Sequence, residues 1–344
     1  MTETLKIVIP MAGWGTRMRP HTWNKPKPLV GVAGKTSLEH LMDVFETLPD
    51  PKRTEFVFIV GPYLGEIQIP AFVAEHYPHL KAHYVVQAEM KGQSHALYLA
   101  RQHLDGPLLV IFSDTLIETD FSFLDREKSN VVAWVKPVPD PRRFGVAEVN
   151  AEGWVTRFVE KPQVMDNNQV VVGCYYFQSG EALMDAIEEQ FRRDVQLKNE
   201  FFLTDAITIM IEKGALVRTE VVDTWLDTGT IDATLETNAY LLERMKAAPE
   251  PRPTVKVTPP VFIHPTAEVS EAVIGPNVSI GPNCKISQAV IQDSIIEAGT
   301  EVVGAVLAHS LIGRNCSVRG AGTKPGGKPA SLNIGDNSNV RFEA

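Results

Sequence analysis

The sequence predicts two structural classes in one chain, an α/β domain on a mostly parallel sheet and then a parallel β-helix. Three observations predict this order. Short apolar runs alternate with helix-like segments up to about residue 245, a proline-rich stretch follows, and a six-residue repeat of branched apolar residues comes after it. We therefore expect an α/β domain over residues 1–246, a linker over residues 247–260 and a β-helix domain over residues 261–344.

The α/β part is predicted from four apolar runs rich in branched or aromatic residues, which are typical of buried parallel strands. These runs are residues 5–9, 56–60, 82–86 and 108–112. Between them, residues 37–45 and 94–104 have apolar side chains at helical spacing, and Ser37 is the expected N-cap of the first helix. This alternation predicts a Rossmann-like sheet flanked by helices, and such sheets bind ligands at the carboxyl ends of their strands.

The C-terminal part is predicted from a hexapeptide period. A branched apolar residue recurs six positions later in three segments, and Ile274, Ile280 and Ile286 continue the same step. The segments are residues 273–280, 295–302 and 311–318. This pattern is typical of a left-handed parallel β-helix, in which each coil stacks its apolar residues on the next. A set of β-hairpins with Gly-Pro-Asn turns is the alternative.

The composition favours a folded protein with no nucleic-acid and no membrane partner. The chain has 344 residues, of which 44% are hydrophobic and 22% are charged, and its net charge is −9. An acidic chain has no global attraction to nucleic acid or anionic lipid, and no segment approaches the ~20 apolar residues of a membrane span. Three cysteines without paired spacing predict reduced thiols. We therefore expect a cytoplasmic protein whose substrates come from the cytosolic pool.

A glycine-rich segment directly after the first predicted strand, residues 11–31, is the strongest candidate for phosphate binding. Glycines at this position let backbone N–H groups approach an anion closely. Four cationic side chains follow the glycines, namely Arg17, Arg19, Lys25 and Lys27. Prolines on both sides of Lys27 hold this lysine on a stiff segment. The spacing matches neither a P-loop nor a dinucleotide-binding fingerprint.

These residues belong to a series of motifs that resembles the sugar-1-phosphate nucleotidyltransferases, the enzymes that make nucleotide sugars. The signature of that family is similar to Gly13-Trp14-Gly15-Thr16-Arg17-Met18-Arg19-Pro20 and to Pro26-Lys27-Pro28-Leu29. Further similar motifs follow in order: Phe112-Ser113-Asp114, Asp140-Pro141 with Phe144-Gly145-Val146, Glu160-Lys161-Pro162, residues 200–207, and Trp225-Leu226-Asp227-Thr228-Gly229-Thr230. Many family members also end in a left-handed β-helix. Within the family, the chain is similar to glucose-1-phosphate thymidylyl- and uridylyltransferases.

The resemblance implies transfer of a nucleotidyl group from a nucleoside triphosphate to a sugar-1-phosphate, with release of pyrophosphate. The attacking oxygen is already anionic, so the reaction needs alignment and charge neutralisation rather than a strong general base. Asp114 and Asp227 each follow an apolar segment, and carboxylates from separate strands suit Mg²⁺. The resemblance assigns these two residues to the metal. It assigns catalytic roles to Arg17 and Lys27 at the triphosphate and to Lys161 at the sugar phosphate.

The resemblance also implies which residues bind the nucleotide and the sugar. The nucleotide-binding set is Ala12, Gly13, Gly15, Thr16, Gln87 and Gly92, and the sugar-phosphate-binding set is Gly145, Glu160 and Lys161. Gln87 follows a predicted strand, and its amide offers a donor and an acceptor that complement a pyrimidine dione. The family has a glutamine here in thymidylyl- and uridylyltransferases. We therefore expect dTTP or UTP as the nucleotide, with glucose-1-phosphate as the default sugar.

Three alternatives stay open on the sequence alone. The first is a mannose-1-phosphate guanylyltransferase. The second is a bifunctional enzyme whose β-helix is an acetyltransferase with His264 or His309 as base. The third is a regulatory relative without activity, although such relatives should have lost the lysines or the metal carboxylates, which this chain retains. Because exposed β-helix coils stack into larger assemblies, we also expect a homo-oligomer.

Overall fold

A computed structural model describes residues 3–142, 144–163, 165–322 and 328–342 of the chain. The chain divides into two compact units. The sheet unit consists of Met1–Gly13 and Leu41–Trp225, and the β-helix unit consists of Trp14–His40 and Leu226–Ala344. The β-helix unit therefore includes most of the glycine-rich segment. The boundaries at residues 246 and 260 stay a prediction.

The helices of the described residues are α1 (Ser37–Asp43), α2 (Leu64–His76), α3 (Gln93–Leu99), α4 (Gly180–Arg192), α5 (Leu203–Glu212) and α6 (Ile231–Arg244). Within these ranges, no helix has the length and hydropathy of a membrane span. The strands up to residue 227 are β1 (Leu5–Met11), β2 (Gly31–Val32), β3 (Lys35–Thr36), β4 (Thr54–Val60), β5 (Ala82–Val86), β6 (Leu108–Ile111), β7 (Thr115–Ile117), β8 (Val131–Pro137), β9 (Gly145–Val149), β10 (Val155–Glu160), β11 (Gln169–Phe177), β12 (Val217–Val221) and β13 (Trp225–Asp227). The later strands are β14 (Val255–Val257), β15 (Val261–Ile263), β16 (Glu268–Ser270), β17 (Ala272–Ile274), β18 (Val278–Ile280), β19 (Lys285–Ser287), β20 (Val290–Gln292), β21 (Ile295–Ile296), β22 (Glu301–Val303), β23 (Val306–Ala308), β24 (Leu311–Ile312), β25 (Ser317–Arg319), β26 (Asn333–Ile334) and β27 (Asn339–Arg341).

The sheet unit contains a mixed sheet of nine described strands, which confirms the α/β class. Its main path is β10-β9-β11-β6-β1-β4-β5, with β8 paired to β11 and β12 paired to β8. The four strands expected from the sequence are β1, β4, β5 and β6, and they run parallel. Strands β8 to β11 add antiparallel pairs, and the short connection between β9 and β10 can join only antiparallel neighbours. The core includes the fully buried Val8, Val110 and Ile207.

The later strands form three parallel sheets, as expected for the predicted β-helix. Their orders are β14-β17-β20-β23, β15-β18-β21-β24-β26 and β16-β19-β22-β25-β27, so the chain passes from one sheet to the next. Ile274, Ile280 and Ile286 are buried in the interior. At the turns, Asn277 and Asn315 have φ values of 60° and 54°, which asparagine tolerates better than most residues. Hairpins would pair antiparallel, so this parallel pairing rules out the hairpin alternative.

The start of α1 differs by one residue from the sequence prediction. Ser37 is the first residue of the helix rather than its N-cap. Thr36 takes that role, because its Oγ1 accepts the Glu39 N–H at 3.2 Å and the Glu39 carboxylate accepts the Thr36 N–H at 2.7 Å. This reciprocal pair is a capping box, and the glutamate three residues downstream selects the threonine as its partner.

Candidate functional site

From Trp14 onward the glycine-rich segment lies in the β-helix unit and forms tight turns. Three of these turns are the 3-10 helices Thr16–Met18, His21–Trp23 and Lys27–Leu29. Gly15 has a φ of 59°, and a Cβ at this position would lie 2.9 Å from Thr22 Cγ2 and 3.3 Å from Lys27 Cβ. The Thr22 hydroxyl donates to the Gly15 carbonyl at 2.8 Å. The turn therefore requires glycine at this position, and it brings Gly15 next to Lys27.

Arg17 and Asp227, both in the β-helix unit, approach each other at Gly229. The Asp227 carboxylate accepts the Gly229 N–H at 2.6 Å. A Cβ on Gly229 would lie 2.6 Å from Asp227 Oδ1 and 3.1 Å from Arg17 Nη2. Both of these side chains are exposed. A cation suited to phosphate and a carboxylate suited to a metal thus share one surface, and glycine leaves room for both.

The structure corrects the inclusion of Lys25 among the phosphate-binding cations. The Lys25 side chain is 1% exposed and forms ion pairs with Glu297 and Asp336, the second at 3.0 Å. A buried ammonium with two carboxylate partners is not available to a phosphate. Arg17 and Lys27 keep at least partly exposed side chains.

Asp114 lies in the sheet unit, in the turn between β6 and β7. The Thr115 N–H donates to the Phe112 carbonyl at 3.0 Å, and the Thr115 hydroxyl donates to the Val172 carbonyl at 2.7 Å. This turn places the half-buried Asp114 at the carboxyl end of a parallel strand. Among the residues that the structure describes, no group of three or more His, Cys, Asp or Glu side chains is arranged to hold a metal ion. Magnesium sites built from one or two carboxylates, water and substrate phosphates need no such group.

Gln87 and Gly92 of the sheet unit are joined within one loop. Gln87 follows β5 and is 5% exposed. Its Nε2 donates to the Gly92 carbonyl at 3.1 Å and lies 3.3 Å from His95 Nδ1. Gly92 has a φ of 97°, and a Cβ there would lie 2.5 Å from the backbone N and O of Phe201. The loop therefore fixes the Gln87 amide with its nitrogen toward Gly92.

Gly145, Glu160 and Lys161 form one cluster at the end of a β-hairpin. Gly145 and Glu160 are register partners in the β9-β10 pair, and a Cβ on Gly145 would lie 2.9 Å from Glu160 Oε2. Lys161 has a φ of 50°, and its N–H donates to the Phe144 carbonyl at 2.9 Å. Its ammonium lies 3.5 Å from Glu160 Oε1 and 5.7 Å from the centre of the Phe202 ring. The cluster brings together the three residues that the resemblance assigns to the sugar phosphate.

The sequence did not single out Asp205 as a site residue. Burial, together with the negative charge of Glu160 in the same cluster, raises the pKa of the Asp205 carboxyl to about 6. Burial, with smaller contributions from Glu160 and Cys174, also raises the pKa of the Tyr175 hydroxyl. A carboxyl with a raised pKa beside a second carboxylate is a candidate functional group. Asp205 lies in the 200–207 motif of the resemblance, but its proximity to Glu160 depends on the fold.

Asp205→Asn is expected to stabilise the protein at pH 8 and to leave its stability nearly unchanged at pH 4. The native pKa of about 6 lies above the ordinary value of 3.8, so the native state binds this proton more tightly. The stability that the proton contributes is fully present below pH 3.8 and is lost as the pH rises through 6. Two pKa units correspond to about 3 kcal/mol. Because the carboxyl is partly exposed, the expected gain of the variant is about 1 kcal/mol.

Urea unfolding at the two pH values measures this difference in the free energy of unfolding. The matched control is Asp185→Asn, which changes an exposed aspartate on α4. The control should show no pH-dependent difference from the wild type. A gain of equal size at pH 4 and pH 8 for Asp205→Asn contradicts a raised pKa.

Comparison with known proteins decides the family. The model of the family described as Nucleotidyl transferase matches residues 6–244, which is more than half of the chain. The chain belongs to the nucleotidyl transferase family. A second family model, described as the GMPPB C-terminal domain, matches residues 257–322. The nucleotidyl transferase family generally uses a divalent metal.

The similar curated proteins include bifunctional GlmU proteins and glucose-1-phosphate thymidylyltransferases. Bifunctional protein GlmU from Methanocaldococcus jannaschii is 30% identical over 241 residues, which cover 70% of this chain and 55% of that protein. Glucose-1-phosphate thymidylyltransferase from Streptomyces antibioticus is 28% identical over 369 residues, which cover 99% of this chain and 100% of that protein. The chain thus spans about half the length of the GlmU relatives it matches.

A solved structure supports the fold. It is the crystal structure, in complex with a sucrose, of a Bacillus anthracis protein assigned as a glucose-1-phosphate thymidylyltransferase. The TM-score is 0.59 and the sequence identity is 21%, with 72% of this chain and 98% of that chain covered. At this level of identity the likeness concerns the fold, and it agrees with the Rossmann-like class of the sheet unit.

Proposed function

We propose that the protein transfers a nucleotidyl group from a nucleoside triphosphate to a sugar-1-phosphate and releases pyrophosphate. Membership of the nucleotidyl transferase family supports this reaction class. So does the Streptomyces relative, which is similar over nearly the whole chain. The observation that carries the proposal is the approach of Arg17 and Asp227 at Gly229. A guanidinium binds phosphate oxygens in a forked geometry, and a carboxylate beside it is a ligand for a divalent cation.

Mg²⁺ is the metal we propose, with Asp114 and Asp227 as its protein ligands. The donor set fits this ion, because Mg²⁺ prefers carboxylate oxygens and commonly keeps water and substrate phosphates as its other ligands. The Gly229 N–H donates to one oxygen of Asp227 and so orients that carboxylate. When bound, the metal would neutralise negative charge on the triphosphate.

Arg17 and Lys27 are proposed to bind the triphosphate and to stabilise the departing pyrophosphate. A set of small residues is proposed to hold the same phosphates through backbone N–H groups: Ala12, Gly13, Gly15 and Thr16. The sugar-phosphate oxygen attacks as an anion, so these groups contribute by aligning two mutually repelling anions and by neutralising charge. The tight turn at Gly15 supports this role because it presents Lys27 next to the glycine.

Lys161 is proposed to bind the phosphate of the sugar-1-phosphate, and Glu160 and Gly145 its sugar hydroxyls. The Lys161 ammonium lies near both the Glu160 carboxylate and the Phe202 ring, which hold it in place before substrate arrives. A carboxylate accepts hydrogen bonds from neighbouring hydroxyls, and Gly145 has no side chain to obstruct them. We keep glucose-1-phosphate as the proposed sugar.

Gln87 is proposed to recognise the base, with Gly92 beside it. Because Gln87 Nε2 donates to Gly92 and lies near His95, we propose Oε1 as the atom that accepts the N3–H of a pyrimidine dione. We keep dTTP or UTP, which the resemblance implies, as the proposed nucleotide. A guanine presents a different donor pattern, so base preference tests this assignment directly.

Pyrophosphate release in the presence of Mg²⁺, measured across a grid of sugar-1-phosphates and nucleoside triphosphates, tests the proposed function. Release that requires both substrates and is fastest with dTTP or UTP is the expected result. A preference for GTP would keep the reaction class but contradict the role of Gln87, and it would favour the mannose-1-phosphate guanylyltransferase. No release from folded protein would contradict the proposal and favour the regulatory or acetyltransferase alternatives.

We also propose a homo-oligomer that acts in the cytoplasm, where nucleoside triphosphates and sugar phosphates occur. Val273, Val290 and Val306 are register partners in consecutive strands, and all three are at least partly exposed. An outward apolar column of this kind supports contact between copies of the chain. Analytical ultracentrifugation measures the oligomeric state.

A further inference from the structure

Glu297 stands where three of the four other coils of its β-helix sheet have glycine. Five isoleucines are register partners in consecutive strands of that sheet: Ile263, Ile280, Ile296, Ile312 and Ile334. The residues that directly follow them are His264, Gly281, Glu297, Gly313 and Gly335. The repeat itself therefore does not require a carboxylate at this position, and the presence of one needs another explanation.

The Glu297 carboxylate is buried against the glycine-rich segment. Its side chain is 4% exposed and pairs with Lys25, which is 1% exposed. Lys25 also pairs at 3.0 Å with Asp336, whose side chain is 9% exposed. Lys25 is the shared partner of the two carboxylates, and removing it would leave both of these buried charges without compensation. We call Lys25, Glu297 and Asp336 the tether.

Both tether carboxylates have a second partner. Glu297 Oε1 accepts the Gly31 N–H at 2.8 Å, and Asp336 Oδ1 accepts the Arg314 N–H at 2.9 Å. Arg314 Nη2 then donates to the Leu29 carbonyl at 2.9 Å. The coils that carry Glu297, Arg314 and Asp336 therefore hold the glycine-rich segment through its backbone as well as through Lys25.

These contacts lie on both sides of Lys27. Lys25 precedes it, and Leu29 and Gly31 follow it. Between the anchors, Lys27–Leu29 forms a 3-10 turn. The backbone of Lys27 is thus fixed from both ends by β-helix residues, while its side chain stays partly exposed.

We propose that Glu297 and Asp336 are positioning residues for Lys27, so that the β-helix sets the affinity for the nucleoside triphosphate. This inference rests on the proposed function, in which Lys27 binds the triphosphate. A flexible lysine must be ordered when an anion binds, and that ordering lowers affinity. A segment that is already fixed loses less entropy on binding and keeps the ammonium in a productive position. The two carboxylates act through Lys25 and the backbone rather than by touching substrate.

Glu297→Gln in the full chain tests the proposal. The substitution keeps the shape of the side chain and removes one of the two carboxylate charges that hold Lys25. We expect the KM for the nucleoside triphosphate to rise about 10- to 100-fold, because Lys27 is displaced from its productive position. The KM for the sugar-1-phosphate should stay at the wild-type value. A merely structural defect would instead lower kcat through loss of active enzyme and leave both KM values unchanged.

The matched control is Glu301→Gln, which changes a glutamate of the same β-helix. Glu301 pairs with Arg319 at 2.7 Å, and both side chains are more than one third exposed. This control should leave both KM values unchanged. If Glu297→Gln does not fold, Asp336→Asn is measured in its place, because it removes the less buried carboxylate of the tether. An unchanged triphosphate KM in an active, folded tether variant overturns the inference.

Amide hydrogen exchange of residues 14–31 distinguishes failure of this inference from failure of the proposed function. If the wild type releases no pyrophosphate, the proposed function fails. Faster amide exchange in Glu297→Gln than in Glu301→Gln would then still support the conclusion that the tether orders residues 14–31. Equal exchange in the two variants overturns the tether, whether or not the wild type is active.

Discussion

Asp114→Asn is expected to lower the rate of nucleotidyl transfer by about 10²- to 10³-fold while the fold stays intact. The amide keeps the size of the carboxylate but loses its negative charge, which the proposed Mg²⁺ site needs. The fold should tolerate the change, because the turn around Asp114 is held by Thr115 through its N–H to Phe112 and its hydroxyl to Val172. Pyrophosphate release measures the rate, and thermal unfolding with circular dichroism checks the fold.

The matched control for this prediction is Asp125→Asn, an isosteric change in the same unit. Asp125 pairs with Arg126 at 3.3 Å on the surface, and such pairs contribute little to stability. The control should retain the wild-type rate. The dependence of the rate on Mg²⁺ concentration gives a second measurement, since loss of a ligand raises the concentration required for half-maximal activity. A folded Asp114→Asn protein with wild-type rate and Mg²⁺ dependence would remove Asp114 from the metal site.

Lys161→Met is expected to raise the KM for the sugar-1-phosphate by about 10- to 100-fold and to change the triphosphate KM much less. A hydrogen bond to a charged group contributes about 1.5–3 kcal/mol, and each 1.4 kcal/mol is a factor of ten in affinity. Methionine keeps most of the length of the side chain and its contact with the Phe202 ring, so the charge is the main loss. Initial rates at varied concentrations of each substrate separate the two KM values.

Lys213→Met is the control for the loss of a lysine charge in the same unit. Lys213 is exposed at the end of α5, and its ammonium lies 3.5 Å from the Asp185 carbonyl. Both KM values should stay at the wild-type level in this control. If Lys161→Met raised the triphosphate KM instead, Lys161 would belong to the nucleotide-binding set and the assignment to the sugar phosphate would be wrong.

Together with the Mg²⁺-dependent activity grid, these two variants test separate parts of one mechanism. The Asp114 variant tests charge neutralisation, and the Lys161 variant tests how the second anion is held. The Glu297 variant asks a different question, because that residue is proposed to act on Lys27 through Lys25. A triphosphate KM effect in Glu297→Gln and a sugar-phosphate KM effect in Lys161→Met would separate the two binding functions within one chain.

Much of the fold follows from local patterns of apolar residues in the sequence. Buried strands such as β1 and β6 are short, branched and apolar, and the six-residue step of Ile274, Ile280 and Ile286 is a property of the sequence itself. The antiparallel half of the sheet was harder to predict, because β11 pairs with β6, β8 and β9, three strands that all precede it at different distances along the chain. Such pairing depends on which strand edges meet once the chain has collapsed, and no local sequence pattern encodes it.

The candidate site likewise contains residues that local sequence motifs identified and residues whose role depends on the fold. Motif order identified residues such as Arg17 and Asp227, because phosphate chemistry demands particular side chains at fixed spacing. The importance of Asp205 was missed, since its raised pKa depends on burial and on the nearby Glu160. Lys25 was assigned wrongly because a lysine near a glycine-rich loop has the same local sequence whether it faces solvent or a carboxylate.

By itself, therefore, the sequence determined the class of the sheet, the β-helix and the family signature, because these depend on residue type and spacing within short segments. Tertiary structure decided which charges are exposed and which are paired. Glu297 lies 272 residues from Lys25 along the chain, and only folding brings the two together. Burial then changes the role of the lysine, since an ammonium removed from water needs a carboxylate partner and ceases to be a ligand for phosphate.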